Sequence, residues 1–220
     1  MNNYKSDFVD FMLSADILRF GSFTLKSGRV SPYFMNAGNY RTGEHLAKLG
    51  DFYADAFMAN VKNLDNVVLY GPAYKGIPLV VALSGSLYRK YGVNLPYFFN
   101  RKEAKDHGEG GVFVGAQPKA GDKIIIIEDV ITAGTAVRES LELIKPTGAI
   151  VTSLLVSVDR MERGTGDTSA FQQLPIEFGV TPYAIVNLDD IVTAVTESGA
   201  VDSNMLKSIA DYRAQYRARG

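Results

Sequence analysis

Residues 124–136 read Ile-Ile-Ile-Ile-Glu-Asp-Val-Ile-Thr-Ala-Gly-Thr-Ala, and this stretch decides the fold class. Its four isoleucines are β-branched and run without alternation, which is typical of a central parallel strand covered on both faces. Glu128 and Asp129 follow where that strand should leave the sheet, and open α/β sheets bind ligands beyond the carboxyl ends of their strands. A small turn at 132–135 should then open a helix over 136–144. The stretch therefore predicts a ligand site at a strand end.

The turn that follows the acidic pair has the features of an anion site. Its small residues let the backbone approach a ligand closely, and a helix N-terminus directs free N–H groups and a partial positive charge toward it. The alternative is an ordinary strand-turn-helix with a capping Asp and Thr, but a cap explains only one of the two acidic residues. The loop has neither the Gly-x-x-x-x-Gly-Lys-Ser/Thr pattern nor a Gly-x-Gly-x-x-Gly opening, which argues against nucleoside triphosphatases and dinucleotide enzymes.

Length and composition agree with a soluble enzyme of one main domain, for which a cytoplasmic location is expected. The chain has 220 residues, of which 46% are hydrophobic, so it can bury a substantial core without splitting. A net charge of −1 gives no sign of a nucleic-acid or acidic membrane partner. The absence of cysteine excludes disulfides and thiolate metal sites. The first residues lack the pattern of a secretory signal, and no apolar run approaches the length of a membrane span.

The rest of the chain alternates strand and helix patterns. Apolar residues recur at helical spacing over 4–18 and 46–57, and 20–38 reads as two short strands around a glycine turn. The later elements are expected at 67–70 (strand), 77–91 (helix), 124–127 (strand), 136–144 (helix), 150–158 (strand) and 203–216 (a packing helix). This order predicts an α/β protein with a doubly wound, mostly parallel sheet and an N-terminal helix-hairpin.

A second motif, Gly-Pro-Ala-Tyr-Lys-Gly-Ile-Pro at 71–78, again follows a strand and precedes a helix. It offers backbone N–H groups and the cation of Lys75. Taken alone, a Gly/Pro-rich turn with a Lys is usually only a turn. Because it should lie at the same edge of the sheet as Glu128 and Asp129, it is a candidate anion loop.

The segment 100–111, Asn-Arg-Lys-Glu-Ala-Lys-Asp-His-Gly-Glu-Gly-Gly, has no apolar periodicity and contains three glycines near its end. These features predict a mobile, charged flap in which Arg101, Lys102 and Lys105 supply cations, with His107 beside them. The alternative is a solvated surface loop. The second histidine, His45, is expected to be a surface residue.

Residues 124–136 resemble the binding signature of the type I phosphoribosyltransferases. The resemblance implies that Glu128 and Asp129 hold the ribose hydroxyls of phosphoribosyl pyrophosphate, and that the loop at 71–78 holds its pyrophosphate. It further implies that the substrate is contacted by the residues around the 5′-phosphate loop and the pyrophosphate loop, namely Tyr74, Lys75, Val130, Ile131, Thr132, Ala133, Gly134, Thr135 and Ala136.

Within that family the chain resembles the orotate-specific members from residue 20 to at least 163. The flap reproduces their Arg-Lys-x-x-Lys-x-His-Gly pattern, Phe-Thr-Leu-Lys-Ser-Gly at 23–28 and Ser-Pro-Tyr-Phe at 31–34 correspond to their base-binding hood, and Ser-Val-Asp-Arg-Met-Glu-Arg-Gly at 157–164 to the turn that meets the base. The resemblance implies one domain over 1–220, with 1–40 forming most of the hood. It implies orotate contacts by Lys26, Phe34, Met35, Thr132 and Arg160. Many members have Phe where Met35 stands, so a thioether would replace a ring.

The implied activity is transfer of the 5-phosphoribosyl group to orotate in pyrimidine (UMP) biosynthesis. The implied cofactor is Mg²⁺, held mainly through phosphoribosyl pyrophosphate with no direct protein ligand. The implied assembly is a homodimer whose flap reaches the partner's site. Lys26 is a further candidate for neutralising pyrophosphate, and the implied catalytic residues are Arg101, Lys102, Lys105, His107 and Asp129. Two alternatives stay open: a non-catalytic sensor of phosphoribosyl pyrophosphate, and a phosphoribosyltransferase for a purine or uracil.

Overall fold

The computed structural model describes residues 3–25, 27–105, 111–131, 134–164 and 166–219, without the side chains of residues 3, 104 and 105. The elements in chain order are α1 (Asn3–Ser14), β1 (Leu18–Thr24), β2 (Val30–Met35), α2 (Gly43–Asn60), β3 (Val67–Gly71), α3 (Gly76–Tyr91), β4 (Tyr97–Lys105), β5 (Gly111–Gly115), β6 (Lys123–Val130), α4 (Thr135–Ile144), β7 (Ile150–Asp159), α5 (Ala170–Phe178), β8 (Thr181–Asn187), α6 (Leu188–Ser198) and α7 (Ser203–Tyr216).

A six-stranded sheet in the order β5-β4-β3-β6-β7-β8 forms the centre of the molecule. Every neighbouring pair is parallel except β4 with β5. The isoleucines of β6 divide between the two faces: Ile125 and Ile127 join one apolar cluster, and Ile124 and Ile126 join the other. All four are at most 2% exposed. Burial on both faces explains the run without alternation, and the doubly wound, mostly parallel α/β class is confirmed.

The N-terminal segment forms a helix and a two-stranded antiparallel sheet, β1-β2, separate from the main sheet. The expectation that the helical pattern continues to Leu18 is wrong. The helix ends at Ser14, and Asp16 takes a left-handed turn with φ of 59°, after which Leu18 starts β1 opposite Met35. Leu18 is buried in its strand, so its apolar character reflects the core and not the helix face.

The predicted flap is partly strand. β4 continues to Lys105 and pairs with β5, which begins at Gly111, so the segment predicted as the flap begins and ends in paired strand. β5 is the edge strand of the sheet, and the hairpin contributes Phe98 and Phe113 to the core. Residues 101–105 of β4 are mostly charged, so side-chain periodicity gave no sign of strand in this outer part. Residues 106–110, with His107, lie outside the described part.

The C-terminal part adds α5, β8 and α6, which were not predicted, and then the predicted helix α7. α7 packs beside β2 of the N-terminal hairpin and so brings the two ends of the chain together. No helix in the described ranges has the length and apolar character needed to cross a membrane.

Candidate active site

The site lies where three neighbouring parallel strands end. β3, β6 and β7 are adjacent, and Val130 of β6 stands opposite Val158 of β7. The turns that follow them are those the sequence singled out: 72–75, 131–134 and 160–164. Because parallel strands end at one edge of a sheet, the three turns face a common space.

The acidic pair at the end of β6 is held by the surrounding backbone and hydroxyl groups. Asp129 is 8% exposed, and its Oδ1 accepts the backbone N–H of Val130 at 2.8 Å. The Ser157 hydroxyl donates to the Asp129 carbonyl oxygen at 2.5 Å, and the Tyr53 hydroxyl donates to the Glu128 carbonyl oxygen at 2.6 Å. These bonds from α2 and β7 fix the backbone that carries both carboxylates. Sequence reasoning missed Tyr53 and Ser157, which carry no local signature.

The two carboxylates and Lys75 form one electrostatic unit. Lys75 Nζ lies 2.9 Å from Asp129 Oδ2, while the Lys75 side chain is 71% exposed. The hydrogen bond and charge of Asp129 raise the pKa of Lys75. Burial, and then the charge of Asp129, raise the pKa of Glu128 to about 7. The site thus combines a paired carboxylate with one that is costly to ionise.

The turn after β3 is shaped by close packing of its glycines. A Cβ on Gly71 would lie 2.3 Å from the Gly76 carbonyl oxygen, and a Cβ on Gly76 would lie 2.6 Å from Pro72. Asn100 of β4 supports the turn, since its Oδ1 accepts the backbone N–H of Ala73 at 2.8 Å. The tight turn holds Lys75 over Asp129, and Asn100 is a supporting residue that sequence reasoning placed in the flap.

Cations from β4 approach the same turn. Lys102 Nζ lies 5.4 Å from the ring centroid of Tyr74, which is 69% exposed, and Arg101 Nη1 donates to the Gly111 carbonyl oxygen at 3.0 Å. The structure therefore brings Lys102 to the predicted pyrophosphate loop, and it ties Arg101 across the edge hairpin.

The glycine turn after β6 opens α4. Gly134 is buried in a left-handed conformation with φ of 72°, and among the described residues no side chain caps the helix. The helix begins at Thr135, one residue earlier than predicted, and Thr135 and Ala136 are exposed in its first turn. Val130 and Ile131 are half-buried beside it. An uncapped N-terminus leaves its N–H groups available to an anion.

The hairpin carries an exposed aromatic surface. Phe34 is 39% exposed and stacks on Phe23 with ring centroids 5.5 Å apart. Met35 lies on the opposite face of β2 and packs against the core. The structure therefore does not bring Phe34 and Met35 to one surface. Arg160, just past β7, is half-buried and donates to Glu162.

Several predicted residues lie outside the described part, and their roles stay predictions: Lys26, His107, Thr132, Ala133 and the side chain of Lys105. His45 is half-buried rather than fully on the surface, because its ring packs edge-on against Phe11 with centroids 6.1 Å apart.

A cavity of about 130 Å³ lies beside the Lys75–Asp129 pair. Its walls combine the two charged groups with apolar side chains and the ring of Tyr40, whose hydroxyl has no hydrogen-bond partner among the described residues. Burial and the charge of Asp129 raise the pKa of Tyr40, so this hydroxyl stays protonated. The cavity is a polar-ended space next to the acidic pair.

Comparison with known proteins agrees with this geometry. A family model described as "Phosphoribosyl transferase domain" matches residues 37–180. The orotate phosphoribosyltransferase of Photobacterium profundum is 47% identical over 98% of this chain and 99% of its own length, and that of Thioalkalivibrio sulfidiphilus is 49% identical over the same shares. The crystal structure of orotate phosphoribosyltransferase from Francisella tularensis superimposes with a TM-score of 0.87 at 41% identity, covering 96% of this chain and 100% of that one.

Full-length identity at this level, a matching domain model and a matching fold meet on one group of enzymes. The matched region contains the acidic pair, the glycine turn after β6, and the turns at 72–75 and 160–164 that carry Lys75 and Arg160. The chain therefore belongs to the phosphoribosyltransferase family and, within it, to the orotate phosphoribosyltransferases.

Proposed function

We propose that the protein transfers the 5-phosphoribosyl group of phosphoribosyl pyrophosphate to orotate, giving orotidine 5′-monophosphate and pyrophosphate in pyrimidine biosynthesis. The observation that carries this proposal is the meeting of Asp129 and Lys75, 2.9 Å apart at the ends of β6 and β3, next to a strand end that delivers Arg160. One acidic and two cationic groups there match a ribose, a pyrophosphate and a carboxylate.

The ribose and its 5′-phosphate take the end of β6. Glu128 and Asp129 accept hydrogen bonds from the ribose hydroxyls, and the N–H groups at Gly134 and the first turn of α4 bind the phosphate. Thr132 and Ala133 complete this loop in the proposal. The bonds from Tyr53 and Ser157 support it, because a fixed backbone holds the sugar without reorganisation.

The pyrophosphate takes the turn after β3. Lys75 and Lys102 approach it from two strands, and Arg101, Lys105, His107 and Lys26 are proposed to join them when the flap closes. These cations offset the negative charge that develops as pyrophosphate leaves. Tyr74 is highly exposed in the middle of this turn, which supports a contact with the substrate or the flap.

The base takes the space between the hairpin and the turn after β7. Phe34 offers an exposed ring for the flat pyrimidine, and Arg160 offers a guanidinium for its carboxylate. Met35 contributes only through its support of β2. A carboxylate partner distinguishes orotate from uracil and from the purines, which lack that group.

The reaction is a substitution at the anomeric carbon. A lone pair of the orotate ring nitrogen forms the N–C bond, the C–O bond to pyrophosphate breaks, and the electron pair leaves with pyrophosphate. Orotate reacts as its ring anion, so no protein base is required. Catalysis by this chain consists of fixing the ribose at Glu128 and Asp129, neutralising pyrophosphate and excluding water from the reacting carbon.

Mg²⁺ is the proposed cofactor. Mg²⁺ favours oxygen ligands and often combines one or two carboxylates with substrate phosphates. The two carboxylates at the end of β6 fit this use, since they would hold the ribose hydroxyls that share Mg²⁺ with the pyrophosphate, and no direct protein ligand is proposed. Bound Mg²⁺ would neutralise pyrophosphate oxygens, and the proposal places it mainly on phosphoribosyl pyrophosphate.

A homodimer is part of the proposal. Pro78, Val81 and Tyr88 lie on an exposed side of α3, with Val81 41% and Tyr88 65% exposed, and Tyr74 continues this surface toward the site. An apolar helix face beside the pyrophosphate loop is suited to bury against a second copy and to bring its flap to the site. A cytoplasmic location stays a prediction.

The proposal is tested by identifying the product. Purified protein is incubated with phosphoribosyl pyrophosphate, Mg²⁺ and an equimolar mixture of orotate, uracil and hypoxanthine, and the nucleotides are separated by chromatography. We expect orotidine 5′-monophosphate as the main product. A uridine or inosine nucleotide as the main product would overturn the assignment of the base site while leaving the phosphate and ribose sites intact.

A further inference from the structure

The turn after β7 contains a carboxylate that the reaction itself does not use. Glu162 is 15% exposed on its side chain, and its Oε1 accepts hydrogen bonds from Arg160 Nη2 at 2.7 Å and Arg160 Nε at 3.1 Å. The Tyr33 hydroxyl donates to the same oxygen at 2.5 Å. One carboxylate oxygen therefore connects the predicted orotate-binding arginine to the N-terminal hairpin.

The pairing occupies only one edge of the guanidinium. Nε and Nη2 bond Glu162, so the other edge, formed by Nη1 and the second N–H of Nη2, is turned away from it. That edge has the fork geometry that binds a carboxylate with two parallel hydrogen bonds. Arg160 is thus oriented by one carboxylate while presenting donors for a second.

Glu162 does not neutralise the two arginines around it. Arg29 Nη1 lies 3.7 Å from Glu162 Oε2, so two guanidinium groups share one carboxylate. Burial and the charge of Glu162 raise the pKa of Tyr33, and this hydroxyl therefore stays a neutral donor. Arg29, Arg160 and Glu162 together carry a net charge of +1.

The C-terminal tail braces the same turn through its backbone. The N–H of Arg163 donates to the Tyr216 carbonyl oxygen at 2.9 Å, and the N–H of Ala218 donates to the Met161 carbonyl oxygen at 3.0 Å. The guanidinium of Arg29 lies 4.7 Å from the Tyr216 ring centroid. The helix α7 was expected to be only a packing element, but its C-terminal end and the residues after it hydrogen-bond to the turn that bears Arg160.

We propose that Glu162 is a positioning residue for substrate selection: it holds Arg160 in the orientation that recognises the carboxylate of the pyrimidine. This inference rests on the proposed function, since it assumes that Arg160 meets that carboxylate. A long arginine side chain without Glu162 loses its fixed rotamer, and the ordering cost then falls on substrate binding.

The test compares binding of two nucleotides that differ in one carboxylate, orotidine 5′-monophosphate and uridine 5′-monophosphate, by calorimetry. The variant Glu162→Gln keeps the shape and removes the charge. We expect its preference for orotidine 5′-monophosphate over uridine 5′-monophosphate to fall about tenfold, as for loss of one charged hydrogen bond. The variant should bind uridine 5′-monophosphate with nearly the same affinity as the wild type does. In steady-state assays the KM for orotate should rise while the KM for phosphoribosyl pyrophosphate stays unchanged.

Controls separate positioning from general damage. Glu177→Gln removes an exposed carboxylate of α5 that lies 3.0 Å from Arg138 of α4. This variant should keep the wild-type preference for orotidine 5′-monophosphate. Arg160→Ala should abolish the preference, and adding Glu162→Gln to it should change nothing further, because the two residues act through one contact. If Glu162→Gln does not fold, Tyr33→Phe serves instead, with a loss of about threefold from removing one donor to Glu162.

The outcomes distinguish the proposed carboxylate site from the positioning role of Glu162. A wild type that binds both nucleotides equally would contradict the proposed carboxylate site itself. A wild type with a clear preference that survives in Glu162→Gln, or in Tyr33→Phe where that variant is used, would overturn the positioning role and leave the proposed function standing. Equal weakening of both nucleotides would also overturn it, since that pattern indicates a structural role only.

Discussion

Glu128 is a carboxyl group whose ionisation the fold makes costly. Its pKa is raised from 4.5 to about 7 by burial and by Asp129. Because the folded state then holds a proton that the unfolded state releases, stability from this group falls as pH rises from about 4.5 to 7 and levels off above that. Glutamine does not ionise, so we expect the pH-dependent decrease in the free energy of unfolding to be smaller in Glu128→Gln, by about 1 to 3 kcal/mol.

The measurement is urea unfolding of wild type and Glu128→Gln at about pH 5 and pH 8, with the difference between the two pH values compared. The variant should be the more stable protein at the higher pH and yet bind phosphoribosyl pyrophosphate more weakly. Identical pH dependence in the two proteins would show that this carboxyl is not held against ionisation.

Arg160 and Arg163 lie three residues apart in one turn and should behave differently. Arg160→Ala should lower kcat/KM for orotate, because a charged hydrogen bond to the carboxylate is lost. The decrease should correspond to a loss of about 2 to 3 kcal/mol of transition-state stabilisation. Arg163 pairs with the exposed Asp167 at 3.7 Å, so Arg163→Ala is a matched control with little expected effect. Orotate kinetics unchanged in Arg160→Ala would remove this residue from the site.

The sequence identified the site residues whose signal is local. Glu128, Asp129 and Gly134 follow the four isoleucines of β6 in a fixed order, and Lys75 lies in the turn after β3, so the rule that ligands bind at strand ends was enough to place them together. The residues that support the site come from distant parts of the chain and were not predicted. Glu162, which bonds Arg160, also contacts Tyr33, which lies 129 positions away in the sequence, and no spacing rule predicts such a pair.

Two glycines of α3 separate close packing from helix propensity. Gly76 starts the helix, and a Cβ there would lie 2.6 to 2.9 Å from Pro72, Gly71 and the Ile127 carbonyl oxygen. Gly85 lies in the same helix with nothing within 4 Å of its Cβ position. We expect Gly76→Ala to destabilise by about 1 to 3 kcal/mol through overpacking, and Gly85→Ala to stabilise by about 0.5 to 1 kcal/mol.

Chemical denaturation of both glycine variants measures these effects, and phosphoribosyl pyrophosphate binding should weaken only in Gly76→Ala, since Gly76 shapes the turn that holds Lys75. A Gly76→Ala protein as stable as the wild type would mean that the turn relaxes freely and does not fix the site.

Elements with a long or uninterrupted apolar pattern were predictable, whereas β4, β8 and α6 were not predicted although each contributes buried residues. β6 and α3 carry apolar patterns that burial on the sheet imposes, and both were placed to within a few residues. In β4, residues 101–105 are mostly charged and have no apolar pattern that would identify them as a strand. β8 alternates weakly and contains Pro182, which obscured it in the sequence.

The molecule as a whole is proposed to work as a dimer with shared sites. A hybrid of one Lys105→Ala subunit and one Asp129→Asn subunit, isolated through two affinity tags, would hold one intact site if the flap acts in trans. Its activity should be about half that of the wild-type dimer, while each mutant homodimer stays nearly inactive. A hybrid no more active than the homodimers would rule out sharing of the flap.

The edge of the sheet formed by β3, β6 and β7 is proposed to join orotate to phosphoribosyl pyrophosphate. The absorbance of orotate, followed after mixing purified protein with phosphoribosyl pyrophosphate with and without Mg²⁺, tests this proposal. We expect rapid loss of orotate that requires Mg²⁺ and is abolished in Asp129→Asn. No consumption of orotate by well-folded protein that still binds phosphoribosyl pyrophosphate would contradict it and favour a sensor of that compound.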